Sequence, residues 1–212
     1  MSLVVTLALA VAIPLVIAAF LLRGGARAFL VFMLVGVGVC LLSAYLNAYF
    51  ASADLTNELD ADVRLVPIVE ETLKALPVFF VLSVFAPRRD DIVSAAIAVG
   101  LGFALLENVS YLVSARDDSL LVVAVVRGFA TGVLHAACGA ALGYGLALAA
   151  KQRYLTVPIA LGLLCITSTC HAIYNLFVAT GGAWAVAGYL LPIALATGIV
   201  ALVRHPLFVF ND

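Results

Sequence analysis

Charge is what this chain has least of. Asp, Glu, Lys and Arg make up only 11% of its 212 residues, hydrophobic residues make up 66%, and the mean hydropathy is +1.22. Soluble domains carry about 25% charged residues, so a water-soluble fold is excluded at the outset. There is no basic patch and the formal net charge is −1, which argues against a nucleic-acid or polyanion partner. The four cysteines, Cys40, Cys138, Cys165 and Cys170, form no CxxC pair, so a disulfide framework or zinc knuckle has no basis here. Lying singly in apolar runs, they read as small buried hydrophobes. No internal repeat, linker or second domain is visible, and residues 1–212 read as a single integral membrane domain.

What the chain has in quantity is long apolar runs. Windows broken by charge or turn residues predict an all-α, polytopic bundle with spans at about 3–22, 28–50, 65–86, 91–113, 119–149, 154–178 and 183–203. The first run starts at Leu3 with no basic residue before it, which reads as a retained helix rather than a signal peptide. The fifth is longer than a bilayer needs and is expected to tilt, project, or bend near Gly128 and Gly132. Pairs of glycines four apart, Gly128/Gly132 and Gly139/Gly143, predict close approach of that helix to its neighbours. Asp90 and Asp91 read as N-terminal caps of the fourth span. His205, beside Arg204 and Pro206 after the last span, reads as interfacial. The segment from Ala51 to Arg64, with Asp54, Glu58, Asp60 and Asp62, reads as a solvated loop.

Basic residues predict sidedness. Arg23, Arg27, Arg88, Arg89, Lys151, Arg153 and Arg204 fall on one side, against Arg64 and Arg116 (beside Asp117 and Asp118) on the other. The positive-inside rule then puts the N-terminus outside and the C-terminus in the cytoplasm of a cell-membrane protein. Tyr45, Tyr49, Tyr111 and Trp184 come near outer helix ends, as an aromatic belt requires.

Against this apolar background stand Glu70, Glu71, Lys74, Glu107, Arg127, His135 and His171, all inside predicted spans. A charged side chain near a helix centre costs about 2.5–3.5 kcal/mol on insertion scales and is found facing a protein interior or a wet cavity. Glu70, Glu107, His135 and His171 each lie about fifteen to seventeen residues from the cytoplasmic end of their own helix, which at 1.5 Å per residue is one common depth in the outer half of the bilayer. Helical spacing supports each of them. Glu70 and Lys74 are i,i+4; Phe103 is one turn from Glu107; Arg127, Thr131 and His135 share one side of the fifth span, and Thr167, His171 and Asn175 one side of the sixth. Interhelical polar contacts contribute only about 0.6 kcal/mol on average, too little to account for so many ionisable groups as mere glue. Three acids against Lys74 and Arg127 leave a deficit of positive charge. A general base beside a proton-holding acid, or a divalent cation held by carboxylate and imidazole, would both answer it.

At these residues the chain resembles the PrsW family of intramembrane proteases, relatives of the CAAX prenyl-protein peptidases. Glu70-Glu71-Thr72-Leu73-Lys74 matches EExxK, Phe103 to Asn108 matches FxxxEN, His135 follows Arg127 in a glycine-rich helix, and His171 to Asn175 matches HxxxN. The match covers about residues 65–178, which the resemblance makes the catalytic helices. The second motif carries Glu107 and the first ends in Lys74, where the CAAX branch has histidine and arginine; this favours the PrsW branch and argues against a prenylated substrate. HExxH, GxGD and GxSG, marks of other intramembrane protease classes, are absent.

The resemblance implies hydrolysis of a peptide bond in or near a transmembrane segment of a membrane-anchored substrate, of the anti-sigma-factor kind. Glu70 would be the base, with Glu71 or Glu107 holding a proton or a metal. His171 and Asn175 would stabilise the oxyanion, His135 would orient water or act as a ligand, and Lys74, Arg127, Phe103 and Asn108 would support. The reaction would need no cofactor or a single divalent cation such as zinc, with Glu71, Glu107, His135 and His171 as candidate ligands. The competing classes are a proton- or ion-coupled transporter and a non-catalytic scaffold related to the γ-secretase scaffold subunit.

Overall fold

A computed structural model describes residues 3–52, 61–85, 87–114, 120–150 and 152–204. Among these residues there is no strand. Seven α-helices follow in order: α1 (Leu3–Leu21), α2 (Gly24–Ser52), α3 (Val66–Phe85), α4 (Arg89–Ser114), α5 (Leu120–Ala149), α6 (Arg153–Thr180) and α7 (Gly182–Arg204). A π-helical turn, Ala61–Leu65, leads into α3. Helix order and number follow the apolar runs, because backbone groups surrounded by apolar side chains can be satisfied only within a helix. The link between α6 and α7 is a single residue, Gly181 (φ +77°), followed by Gly182 (φ +57°). Glycine reaches this left-handed backbone without strain, so two long helices can fold back on each other there.

Five helices are long and apolar enough to cross a membrane by length and composition: α2, α4, α5, α6 and α7. α1, with 19 residues, is shorter than these and apolar from Leu3 to Leu21. The third span, expected to cross like the rest, is a 20-residue helix with three charges in its middle, Glu70, Glu71 and Lys74. Those charges face inward. Their exposures are 7%, 5% and 5%, while Phe20, Leu21, Leu121 and Tyr154 on the outer surface are at least 76% exposed. Charged residues inside and bare aliphatics outside reverse the pattern of a water-soluble domain.

The spine of the bundle is α4, packed between α2 and α5. Gly36 of α2 meets the backbone of Val99 and Phe103, and Gly102 of α4 meets the backbone of Met33. On the other face of α4, Gly100 lies against the carbonyl of His135, and Gly139 and Gly143 of α5 lie against Ala96 and Val93. Small residues at these contacts let the backbones touch. The expectation for the glycine pairs holds for one of them only. Beside Gly128 and Gly132 a side chain would meet nothing within 4 Å, because these two glycines lie on the open face of α5 while Arg127 and Thr131 face the neighbouring helices.

Two further expectations are corrected. Asp90 and Asp91 lie inside the first turn of α4 rather than capping it; there they favour the positive end of the helix dipole. Cys40 and Cys138 are buried as expected, but Cys165 is exposed and Cys170 half-buried, since both lie toward the outer side of α6. The acidic residues Asp54, Glu58 and Asp60, the Arg116–Asp118 cluster, Lys151 and His205 lie outside the described residues.

Candidate active site

Four helices each bring ionisable side chains to one cluster. From α5, His135 is fully buried, with Nε2 2.7 Å from Glu107 Oε2 of α4 and Nδ1 2.7 Å from Lys74 Nζ of α3. Arg127, two turns before His135 on α5, donates from Nη2 to the other Glu107 oxygen at 2.9 Å. Lys74 also donates to Glu71 Oε1 at 2.5 Å, and that same oxygen lies 3.1 Å from Nδ1 of His171 on α6. The second nitrogen of His171 faces Glu70 Oε2 across 3.9 Å. The two imidazoles meet edge to face, with ring centres 5.1 Å apart.

Aromatic walls hold this network. Phe103, with no exposed surface, lies 5.1 Å from the His135 ring, and the Lys74 ammonium sits 4.6 Å over its face. A cation over a desolvated ring gains roughly 2 kcal/mol, which helps to keep a lysine here without water. Tyr111, one turn beyond Glu107, receives the Arg127 guanidinium at 3.7 Å.

The i,i+4 pair expected between Glu70 and Lys74 does not form. Lys74 pairs with Glu71 instead, three residues away, because Glu71 and His135 lie on the side to which the lysine side chain extends. Glu70 is left with Oε2 buried and without a partner, the one carboxylate oxygen in that state among the described residues. Asn175 is half-buried, one turn beyond His171 on the same face of α6, and Asn108 is half-buried beside Glu107. Cys138 sits 4.0 Å from the Thr167 carbonyl.

A family model described as PrsW family intramembrane metalloprotease matches residues 9–204. The chain belongs to this family. The match takes in most of α1 and all of α2 and α7, which the PrsW motifs themselves leave out, and it makes the chain a multi-pass membrane protein and an intramembrane protease. No curated protein and no solved structure matches the chain.

A PrsW metalloprotease needs a place for a metal, and the donors here fit one. Glu70, His135 and His171 each offer a ligand atom within 4.8 Å of the other two, and all three are buried. The 3.9 Å gap between Glu70 Oε2 and His171 Nε2 is too long for a hydrogen bond, so these two donor atoms face each other without satisfying each other. The orphaned Glu70 oxygen is what such an ion would satisfy. The candidate set thus includes Glu70, which the motifs alone suggested as the base. Glu71 and Glu107, named beside His135 and His171 as possible ligands, each bond an imidazole nitrogen and a cation, the position of carboxylates that orient metal-binding histidines.

The sequence pattern assigned Tyr111 only a place in the aromatic belt and assigned Tyr174 no role. Tyr111 is i+4 from Glu107, so the signal was there. Tyr174, 1% exposed, has its hydroxyl 3.2 Å from that of Thr131, tying α6 to α5 one turn from His135. Nothing in the sequence distinguishes it from other tyrosines of a membrane helix.

Proposed function

We propose that this PrsW protein is a metal-assisted endopeptidase that hydrolyses a peptide bond in or near a transmembrane segment of a membrane-anchored, anti-sigma-factor-like protein. The observation that carries this reading is the meeting of Glu70, Glu107, His135 and His171, one from each of four helices, in a single buried cluster. Residues 1–212 act as one domain, in the cell membrane, with the N-terminus outside and the C-terminus in the cytoplasm. That orientation rests on the distribution of Arg and Lys, and it sets the cut on the extracytoplasmic side of the substrate.

Glu70, His135 and His171 would hold the ion. A bound divalent cation supplies Lewis-acid polarisation and makes water acidic enough to be a nucleophile near neutral pH. The chain's own residues do the rest. The other carboxylate oxygen of Glu70, the one not turned toward the ion, accepts a proton from the attacking water. Glu71 and Glu107 fix the ring orientation of His171 and His135. Asn175, on the His171 face of α6, donates to the carbonyl oxygen as it gains charge. Arg127 and Tyr111 hold Glu107 in place, and Phe103 excludes water from the lysine side.

The test is cleavage of a model transmembrane peptide by purified protein, with and without a chelator, beside Glu70→Ala and Glu107→Ala. Activity is expected to disappear in both variants and to be removed by the chelator and restored by zinc. Wild-type rates in either variant would refute the assignment, and a cut mapped to the cytoplasmic half would refute the orientation.

A further inference from the structure

Lys74 is 5% exposed, and its ammonium lies between Glu71 Oε1 and His135 Nδ1, at 2.5 and 2.7 Å. An ammonium has three donors and no lone pair. Paired with the Glu71 carboxylate, it can bond His135 in one way only, by donating to a bare Nδ1. The proton of a neutral His135 then sits on Nε2, where it donates to Glu107 Oε2 at 2.7 Å. His171 is arranged in the opposite sense. Its Nδ1 faces a carboxylate oxygen, which can only accept, so in a neutral His171 Nδ1 carries the proton and the Nε2 lone pair points toward Glu70. The two imidazoles are therefore opposite tautomers. The lone pair of His171 is open, and that of His135 is capped by lysine.

We propose that Lys74 and a divalent cation are alternative partners of His135 Nδ1, so that the ion enlists His135 beside Glu70 and His171 only when the lysine side chain withdraws. The inference rests on the metal-assisted reading and makes Lys74 a positioning residue that sets how tightly the metal is held. Nε2 of His135 is not the alternative ligand atom, because it is bonded to Glu107, which Arg127 anchors through its other oxygen. Two positive groups cannot share one lone pair at this range, and in a buried site their repulsion is poorly screened. The lysine also balances the acids while the helices pack, so the cluster can assemble before an ion arrives.

The test uses purified full-length protein in detergent and zinc ion alone as the probe, titrated against a chromophoric chelator. Lys74→Met is expected to bind zinc about tenfold more tightly than wild type, the lower end of what supporting residues contribute to metal affinity. The gain should vanish in Lys74→Met combined with His135→Asn, because it runs through Nδ1. A gain that survives there would come from the lost positive charge alone and would overturn the proposal. Equal or weaker binding by Lys74→Met would also overturn it and leave the metal-assisted reading standing, whereas no zinc uptake by any form would remove both.

If Lys74→Met does not fold, nitrogen NMR of isotope-labelled histidine in the unsubstituted protein decides. The chain has only three histidines, so single substitutions assign the signals. The metal-free protein should show His135 bare at Nδ1 and His171 bare at Nε2, and zinc should shift both bare nitrogens. The same tautomer at both residues, or a His135 signal unmoved by zinc that saturates His171, would overturn the proposal.

Discussion

The contact between α4 and α5 has two halves built on different physics. In one half Gly100, Gly139 and Gly143 press against the opposite backbone, and Ile92, Ala96, Leu142 and Leu146 fill the space around them. In the other half the same helices are joined by Glu107 with His135 and Arg127, and by Arg127 over Tyr111. The first half is dry and indifferent to charge; it sets how far apart the backbones stand. The second half uses that distance, since a 2.7 Å bond between Glu107 and His135 exists only if the helices are held at the glycine spacing. Packing supplies the geometry, and the ionisable groups supply the chemistry.

The difference can be broken first from the chemical side. Glu70→Gln is expected to lower the cleavage rate of a transmembrane peptide by about 10²–10⁴-fold, the usual contribution of a positioned acid or base, with little change in the protein's thermal midpoint in detergent. A matching loss of folded protein would mean that Glu70 is a packing residue.

Gly100→Ala attacks the other half. Its methyl group would meet the His135 carbonyl, and a clash of backbone against side chain costs about 1–3 kcal/mol. Thermal unfolding should show the loss, and cleavage should fall with it because Glu107 and His135 move apart. Arg127→Met removes a charged hydrogen bond and should cost about 1.5–3 kcal/mol, read in the same unfolding assay. Tyr111→Leu removes only the ring beneath the guanidinium and should cost about 0.5–1 kcal/mol. Gly132→Ala is the smallest expected effect, within about 0.5 kcal/mol of zero, because nothing lies within 4 Å of the added methyl. If Gly132→Ala proved as damaging as Gly100→Ala, the division of α5 into a touching and an open face would be wrong.

Much of this was legible in the sequence. The order of the helices follows from where apolar runs stop, and the members of the cluster follow from charges that have no place in lipid. Counting residues along each helix brings Glu70, Glu107, His135 and His171 to one level, and they do meet. Rotation was not legible. Glu70 and Glu71 are neighbours with the same chemistry, and both are spaced to reach Lys74; which one does so depends on how α3 turns toward α5 and α6. For the same reason the two glycine pairs of α5 look alike in sequence, although only Gly139 and Gly143 face α4.

The amino-acid order alone determined membrane residence, the succession of helices and the inventory of acids, bases and imidazoles, because hydropathy and charge belong to each segment separately. Tertiary structure alone decided that Lys74 bonds Glu71 and His135, that Glu70 keeps an open oxygen, and that the two histidines turn Nδ1 to different partners, Lys74 and Glu71. These depend on atoms from different helices coming within 3 Å or so of one another, and spacing along one helix places a side chain on a face without saying what that face will meet.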